Sequence, residues 1–176
     1  MNLKGTKTEK NLKAAFVGES QARNKYSYYA SQAKKEGYNK IAKIFEETAH
    51  NEMAHAKIWF KLLYGGMPDT RANLLDAING EDYEWTDMYE TFAKEAREEG
   101  FDDIAYLFDE VGKIEREHSA RYKELLHKID DLFVKEEIII WRCMNCGHEH
   151  ISDGAPDMCP VCNHPKAYFE IKNDLF

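Results

Sequence analysis

Glu52-Met53-Ala54-His55 recurs sixty-three residues later as Glu115-Arg116-Glu117-His118, and this recurrence restricts the fold more than any other feature of the chain. When the sequence slides against itself by that offset, Ala33, Glu36, Gly37, Tyr38, Ile41, Ala42, Phe45 and Glu47 face Ala96, Glu99, Gly100, Phe101, Ile104, Ala105, Phe108 and Glu110. Upstream the match continues after a one-residue slip. Gly18-Glu19 faces Gly80-Glu81, while Tyr26 faces Tyr89 at the original offset. Each half therefore reads as a helical hairpin: a first helix with an interior glutamate, a glycine break, and a second helix carrying Glu-x-x-His.

Residues three apart on an α-helix share a face, so a carboxylate and an imidazole at that spacing can reach one cation. Carboxylate oxygens and imidazole nitrogens together suit iron or manganese. A lone Glu-x-x-His is weak evidence of a metal. Two of them with co-registered glutamates turn the alternative, solvated acids and ordinary histidines, into a coincidence. Two pairs imply two metals.

Four helices are expected. The first runs from about Thr6 to Glu36, with Thr6 or Thr8 as N-cap; Leu12, Ala15, Phe16, Glu19, Ala22, Tyr26 and Tyr29 recur on one face, and Gly37 ends it. The second spans about Asn39 to Leu63, with Ile41, Ile44, Phe45, Thr48, Glu52, His55, Trp59 and Leu62 on its inward stripe. By the repeat, the third spans about Thr70 or Arg71 to Glu99, with Leu74, Leu75, Ile78, Glu81, Trp85, Met88, Tyr89, Phe92 and Ala96 inward. The fourth starts at a cap on Asp102 or Asp103 and carries Ile104, Leu107, Phe108, Val111, Glu115, His118, Tyr122 and Leu125. No proline interrupts any of them.

From Leu132 the character changes. Val134 and Ile138-Ile139-Ile140-Trp141 suggest a strand that leads into Cys143-Met144-Asn145-Cys146 and Cys159-Pro160-Val161-Cys162. These are the four cysteines of the chain. Two close pairs read as a four-thiolate metal site rather than a disulfide framework. The module is too small for a substantial apolar core, so its metal must hold it together. The expected domains are 1–134, helical, and 135–176, the cysteine module.

A net charge of −8 argues against a nucleic-acid partner. No apolar run is long enough to span a bilayer, the polar start suggests no secretory signal, and thiolates fit a reducing compartment. The expected location is cytoplasmic.

Glu19, Glu52, His55, Glu81, Glu84, Glu115 and His118 make seven ligand candidates. Helix bundles that hold two iron or manganese ions use a glutamate from each of two helices and Glu-x-x-His from the other two. Here there is one carboxylate more, either Glu81 or Glu84.

With Phe16-Val17-Gly18-Glu19-Ser20-Gln21-Ala22-Arg23-Asn24-Lys25-Tyr26, Gly80-Glu81-Asp82-Tyr83-Glu84, both Glu-x-x-His pairs and Trp141-Arg142-Cys143-Met144-Asn145-Cys146-Gly147, the chain resembles the rubrerythrins over essentially its whole length. The resemblance implies a ferritin-like four-helix bundle with a small β-rich rubredoxin-like module. It implies a non-haem di-iron peroxidase that protects against oxidative stress, reducing hydrogen peroxide to water. Electrons would arrive through an Fe(Cys)₄ centre from an electron-donor protein or an NAD(P)H-linked reductase. Glu52 and Glu115 would bridge the irons, with Glu81 and His118 completing one. Glu19 would sit on the other, which would exchange Glu84 for His55 between redox states. Tyr26 and Tyr89 resemble the family's tyrosines beside the site, with ordinary core tyrosines as the alternative. At the cysteines zinc is the competing metal, since a zinc ribbon has the same pattern; Trp141, Tyr168-Phe169 and the attached redox domain favour iron. His148, His150 and His164 are expected to be solvated, and His50 and His127 to be ordinary.

The connection Tyr64 to Asp69 spans at most about 20 Å, against about 37 Å for a 25-residue helix. In the ferritin-like topology this connection runs back along the bundle. A homodimer is therefore expected, domain-swapped between the second and third helices, with an up-down-up-down bundle within one chain as the alternative. The competing functions are ferritin-like iron oxidation and storage, and a bundle with a structural zinc ribbon.

Overall fold

The computed structural model describes residues 2–172, and the chain divides at Asp69/Thr70 into two compact units. The first unit is a hairpin of α1 (Lys7–Lys35) and α2 (Asn39–Tyr64). Thr6 caps α1: its Oγ1 accepts from the Glu9 amide at 3.0 Å, while Glu9 Oε2 accepts from the Gly5 amide at 2.7 Å. The cap thus satisfies the first-turn amide of Glu9, and the Glu9 carboxylate in return holds the Gly5 amide that precedes the cap. Thr6→Ala is expected to cost about 1 kcal/mol, read as a lower midpoint for the helical transition in thermal melts followed by circular dichroism.

At the far end Gly37 takes a left-handed conformation, φ +84°. Its amide donates to Lys34 O at 3.1 Å and that of Tyr38 to Ala33 O at 2.8 Å, which terminates the helix with two reversed bonds. The second unit repeats this turn: Gly100 has φ +83°, with Gly100 N to Arg97 O at 3.1 Å and Phe101 N to Ala96 O at 2.8 Å. Even the ion pairs bracing the hairpins correspond, Lys34 with Glu46 and Arg97 with Asp109.

The second unit contains α3 (Thr70–Tyr83), a π-helical segment (Glu84–Met88), α4 (Tyr89–Glu98) and α5 (Asp102–His127). The expected third helix is continuous from Thr70 to Glu98 but widens into a π turn at Glu84–Met88, and the reason is the one-residue slip. Between Glu81 and Tyr89 this half holds one residue more than the first half does between Glu19 and Tyr26. The surplus is absorbed by a wider turn in which the Tyr89 amide donates to Glu84 O, five residues back. Neither Asp102 nor Asp103 is the cap of α5. Phe101 holds that position with no side-chain bond, and the two acids lie in the first turn, where they complement the helix dipole.

Small side chains line the seam of each hairpin. Ala30, Ala33, Ala42, Ala49 and Ala56 are buried in the first unit and Ile78, Ala93, Ala96, Ala105 and Ser119 in the second, so the helices approach closely. Much of the expected inward stripe is not covered. Tyr29, Ile41, Ile44, Leu62, Leu75, Phe92, Ile104, Leu107 and Leu125 are all exposed, Leu107 at 59%. Two helices bury only the strip between them, and the wider apolar face is left over.

After α5 the chain enters a three-stranded antiparallel sheet in the order β2 (Glu149–Gly154), β1 (Val134–Cys143), β3 (Phe169–Ile171). Trp141 pairs with His150 and Cys143 with Phe169. The module's core is Trp141, Cys143, Ala155, Cys159 and Phe169, too few side chains to fold alone. Among the described residues no helix is long and apolar enough to cross a membrane.

Candidate metal centres

Each unit brings one glutamate of its first helix to the Glu-x-x-His of its second. In the first unit, Glu19, Glu52 and His55 place ligand atoms within 4.8 Å of one another; in the second, Glu81, Glu115 and His118 do the same. His55 Nδ1 lies 2.9 Å from Glu52 Oε2 and 3.8 Å from Glu19 Oε2. His118 Nδ1 lies 2.7 Å from Glu115 Oε2 and 3.5 Å from Glu81 Oε2. Glu81 is thus the counterpart of Glu19. Glu84, on the π turn, stands outside this group, and the sequence alone had left open which of the two was surplus.

The electrostatics of both clusters suit a cation. Glu52 is held below the usual carboxylate range, first by a hydrogen bond with Glu19 and then by His55. Glu81 is pushed above that range, first by burial, then by its contact with Glu115, with the charge of Glu84 adding to it. Glu81 Oε2 is buried with no hydrogen-bond partner. A buried carboxylate oxygen without a donor is costly, and a divalent cation is the partner that such an oxygen, a second carboxylate and an imidazole fit.

Tyr26 is half-buried, its ring 6.1 Å from those of Phe45 and Tyr29. Tyr89 occupies the equivalent place beside Phe108 at 6.0 Å. Burial raises the Tyr89 phenol above its ordinary range, and the charges of Glu84, Glu115 and Glu81 raise it further. A Cβ added to Gly112 would come within 3.3 Å of Tyr89 Cβ, so the bare backbone there lets the ring lie close to α5.

The four cysteines converge with sulfurs 3.7 Å apart for Cys143 and Cys162 and 3.6 Å for Cys146 and Cys159. A tetrahedral metal with 2.3 Å bonds to sulfur would require edges of about 3.8 Å. The pocket is therefore preformed. Two like turns build it. Cys143 N donates to His148 O and Gly147 N to Cys143 O, just as Cys159 N donates to His164 O and Asn163 N to Cys159 O, all at 2.8–2.9 Å. Gly147 (φ +76°) and Asn163 (φ +57°) supply the left-handed residue each turn needs. The His164 amide favours the Cys162 thiolate and lowers it to about 5, with its neighbouring sulfurs contributing. The His148 amide favours the Cys146 thiolate too, but burial and the three adjacent sulfurs push that thiol up to about 12. Packed this tightly, four thiolates need a cation among them. His148, His150 and His164 are part-buried rather than solvated; His164 stacks edge-on against Tyr168 at 4.4 Å.

Sequence reasoning missed Asp82. Its Oδ1 accepts from Ser119 Oγ at 2.6 Å, Lys123 Nζ at 2.9 Å and Trp85 Nε1 at 3.0 Å, and these donors, Ser119 foremost, lower it to about 2.

Comparison with known proteins agrees with this arrangement. The family model described as Rubrerythrin matches residues 10–126, and that described as "Rubrerythrin, rubredoxin-like domain" matches 141–170. The chain is 46% identical to Rubrerythrin-1 of Clostridium acetobutylicum, covering 99% of both chains. It is 49% identical to Rubrerythrin of Porphyromonas gingivalis, covering 96% of this chain and 92% of that one. With Rubrerythrin of Nitratidesulfovibrio vulgaris it shares 46% identity over 97% and 96%. Two carboxylate and histidine clusters for a di-iron centre, a four-cysteine rubredoxin-like site and near-full-length similarity lead to one conclusion: the chain belongs to the rubrerythrin family, with its ferritin-like fold and iron cofactors.

Proposed function

We propose that the protein is a peroxidase that reduces hydrogen peroxide to two waters, consuming two electrons and two protons. The carrying observation is the presence, in one chain, of two Glu-Glu-His clusters and a preformed four-thiolate pocket, an electron-accepting centre and an electron inlet. Iron held by the carboxylate clusters would supply electrons for cleavage of the peroxide bond, and iron held by the thiolates would supply their replacement. An NAD(P)H-linked reductase or another electron-donor protein feeds the thiolate site.

The chain's own residues have separable tasks. Glu19, Glu52, His55, Glu81, Glu84, Glu115 and His118 would hold the metal pair, with Glu52 and Glu115 the residues that would serve both metals. The mobile ligands are Glu84 and His55: Glu84 stands outside the close cluster of its unit, and His55 is the more exposed of the two histidines, at 51%. Tyr89 keeps its proton, because burial and three carboxylates oppose its ionisation, and so stores a proton in the field of the site; Tyr26 is its counterpart. We assign residues 1–134 to the di-iron module and 135–176 to electron entry, and place the protein in the cytoplasm, where unpaired thiols persist.

We further propose that two chains exchange hairpins, so that the first unit of one completes the bundle with the second unit of its partner. The uncovered apolar faces of both hairpins and the short connection from Gly65 to Asp69 support this reading.

Mixing the anaerobically reduced, iron-loaded protein with stoichiometric peroxide in a stopped-flow spectrometer tests the activity. Rapid oxidation of both centres with peroxide consumed is expected. Slow reaction with peroxide, fast reaction with oxygen and growth of a mineral would replace peroxidase with iron storage.

A further inference from the structure

The two metal clusters are built on repeated hairpins, yet the residues flanking them are not alike. In the first unit Glu19 is followed by Ser20 and His55 by Ala56; in the second Glu81 is followed by Asp82 and His118 by Ser119. Ser20 Oγ turns back to its own helix and donates to Phe16 O at 2.7 Å, and Ala56 has no polar group to offer. Asp82 and Ser119 instead reach across the hairpin and join at 2.6 Å. Ser119 is 1% exposed, the one buried polar residue among the described residues. One turn further along α5, Lys123 stands where the first unit has Phe60, and its Nζ lies 2.9 Å from both Asp82 oxygens.

This crosslink sits at the entrance to the π segment, the one place where the repeat is broken. Trp85, inside that segment, sends its indole N–H back to Asp82 Oδ1 at 3.0 Å, and the Thr86 hydroxyl donates to the Asp82 carbonyl at 2.6 Å. Asp82 is therefore tied by side chain and backbone to Trp85 and Thr86 in the first half of the π turn and, through Ser119, to the helix opposite. Since it directly follows Glu81 and Ser119 directly follows His118, the bond between them fixes the spacing of the two ligands. The Glu81–His118 approach is correspondingly closer than that of Glu19 and His55, 3.5 Å against 3.8 Å. Hydrogen bonds that orient ligands contribute tenfold to hundredfold in metal affinity.

We propose that Asp82 is a positioning residue that preorganises one half of the di-iron centre, so that the metal held by Glu81 and His118 binds first and more tightly, while the one held by Glu19 and His55 occupies the adaptable half. A hairpin staple with no bearing on metal would also use these bonds. The distinction lies in which metal responds.

The test is anaerobic titration of the full-length protein, its carboxylate sites emptied by chelation, with Mn(II), followed by the paramagnetic resonance of the free ion; Mn(II) prefers carboxylates to the thiolate site. Wild type is expected to bind two equivalents per chain, the first at least about tenfold tighter. Asp82→Ala should weaken the first by about 10- to 100-fold and the second far less. Ser119→Ala should act in the same direction, and Asp82→Asn should recover part of the loss, since its amide oxygen still accepts from Ser119 and Trp85. Ser20→Ala should change nothing. Helix content by circular dichroism guards against misfolding, and if Asp82→Ala does not fold, Ser119→Ala decides alone. Two equal affinities in wild type, an unchanged first equivalent in the variants, or equal weakening of both overturns the proposal. Glu81→Ala should abolish the tight equivalent; retention of both would sink the ligand assignment, and the proposal with it.

Discussion

Cys159→Ala is expected to abolish the rubredoxin-like absorption and unfold the C-terminal module while leaving the helices intact. Cys159 is fully buried at the centre of a five-residue core and supplies one sulfur of the preformed tetrahedron. With so little apolar surface, the folding free energy of the module is largely metal-binding free energy, and three remaining thiols cannot complete a closed site. Reductase-driven peroxide turnover should fall on the order of a hundredfold or more once this ligand is gone. A single oxidation of chemically reduced protein should persist, because the glutamates and histidines are untouched. Far-UV circular dichroism checks the helices, visible absorption the metal, and coupled turnover the electron path. Normal turnover without the thiolate metal would mean that electrons enter elsewhere.

Mixing two inactive variants should regenerate activity. Glu19→Ala disables the first hairpin's cluster and Glu81→Ala the second's, so each homodimer is expected to be inactive. If hairpins are exchanged, a mixed dimer carries one site with both defects and one with neither. Co-refolded in equal amounts, the pair should recover about a quarter of wild-type turnover, since random pairing makes half the dimers mixed and half the sites in those intact. If each centre belonged to one chain, every site in the mixture would carry a defect and no recovery would occur. A null result with both variants folded and dimeric would therefore rule out the exchange and leave the activity assignment standing.

Much of this was legible because the chain states it twice. Gly37 and Gly100, Glu52 and Glu115, and His55 and His118 mark the same hairpin, and the structure reproduces even its terminating hydrogen bonds. The Cys-x-x-Cys pairs were equally plain, although the Gly147-His148 and Asn163-His164 that follow them, a second internal repeat, went unread. What stayed hidden depends on neighbours far apart in sequence. In sequence Asp82 is one acid between the ligand candidates Glu81 and Glu84, and only the packing of α3 on α5 brings Ser119 and Lys123 to it. Comparison of the two halves held the signal, since Ser20, Ala56 and Phe60 differ together from Asp82, Ser119 and Lys123. The stripe assigned to a core was read correctly as apolar, but periodicity reports which face avoids water and not which molecule covers it.

The widened turn at Glu84–Met88 also shows how a duplicated hairpin can acquire a new acid without losing an old one. Adding a residue to an ordinary helix would rotate everything beyond it by about 100°, carrying Tyr89 and the glycine turn off their stations. Confined to one π turn, the addition leaves both in place and gives Glu84 a position that has no counterpart in the first half. Two hairpins both like residues 7–64 would offer six donors, with nothing in the donor set to tell one metal from the other. The one-residue difference between the hairpins gives the pair a left and a right.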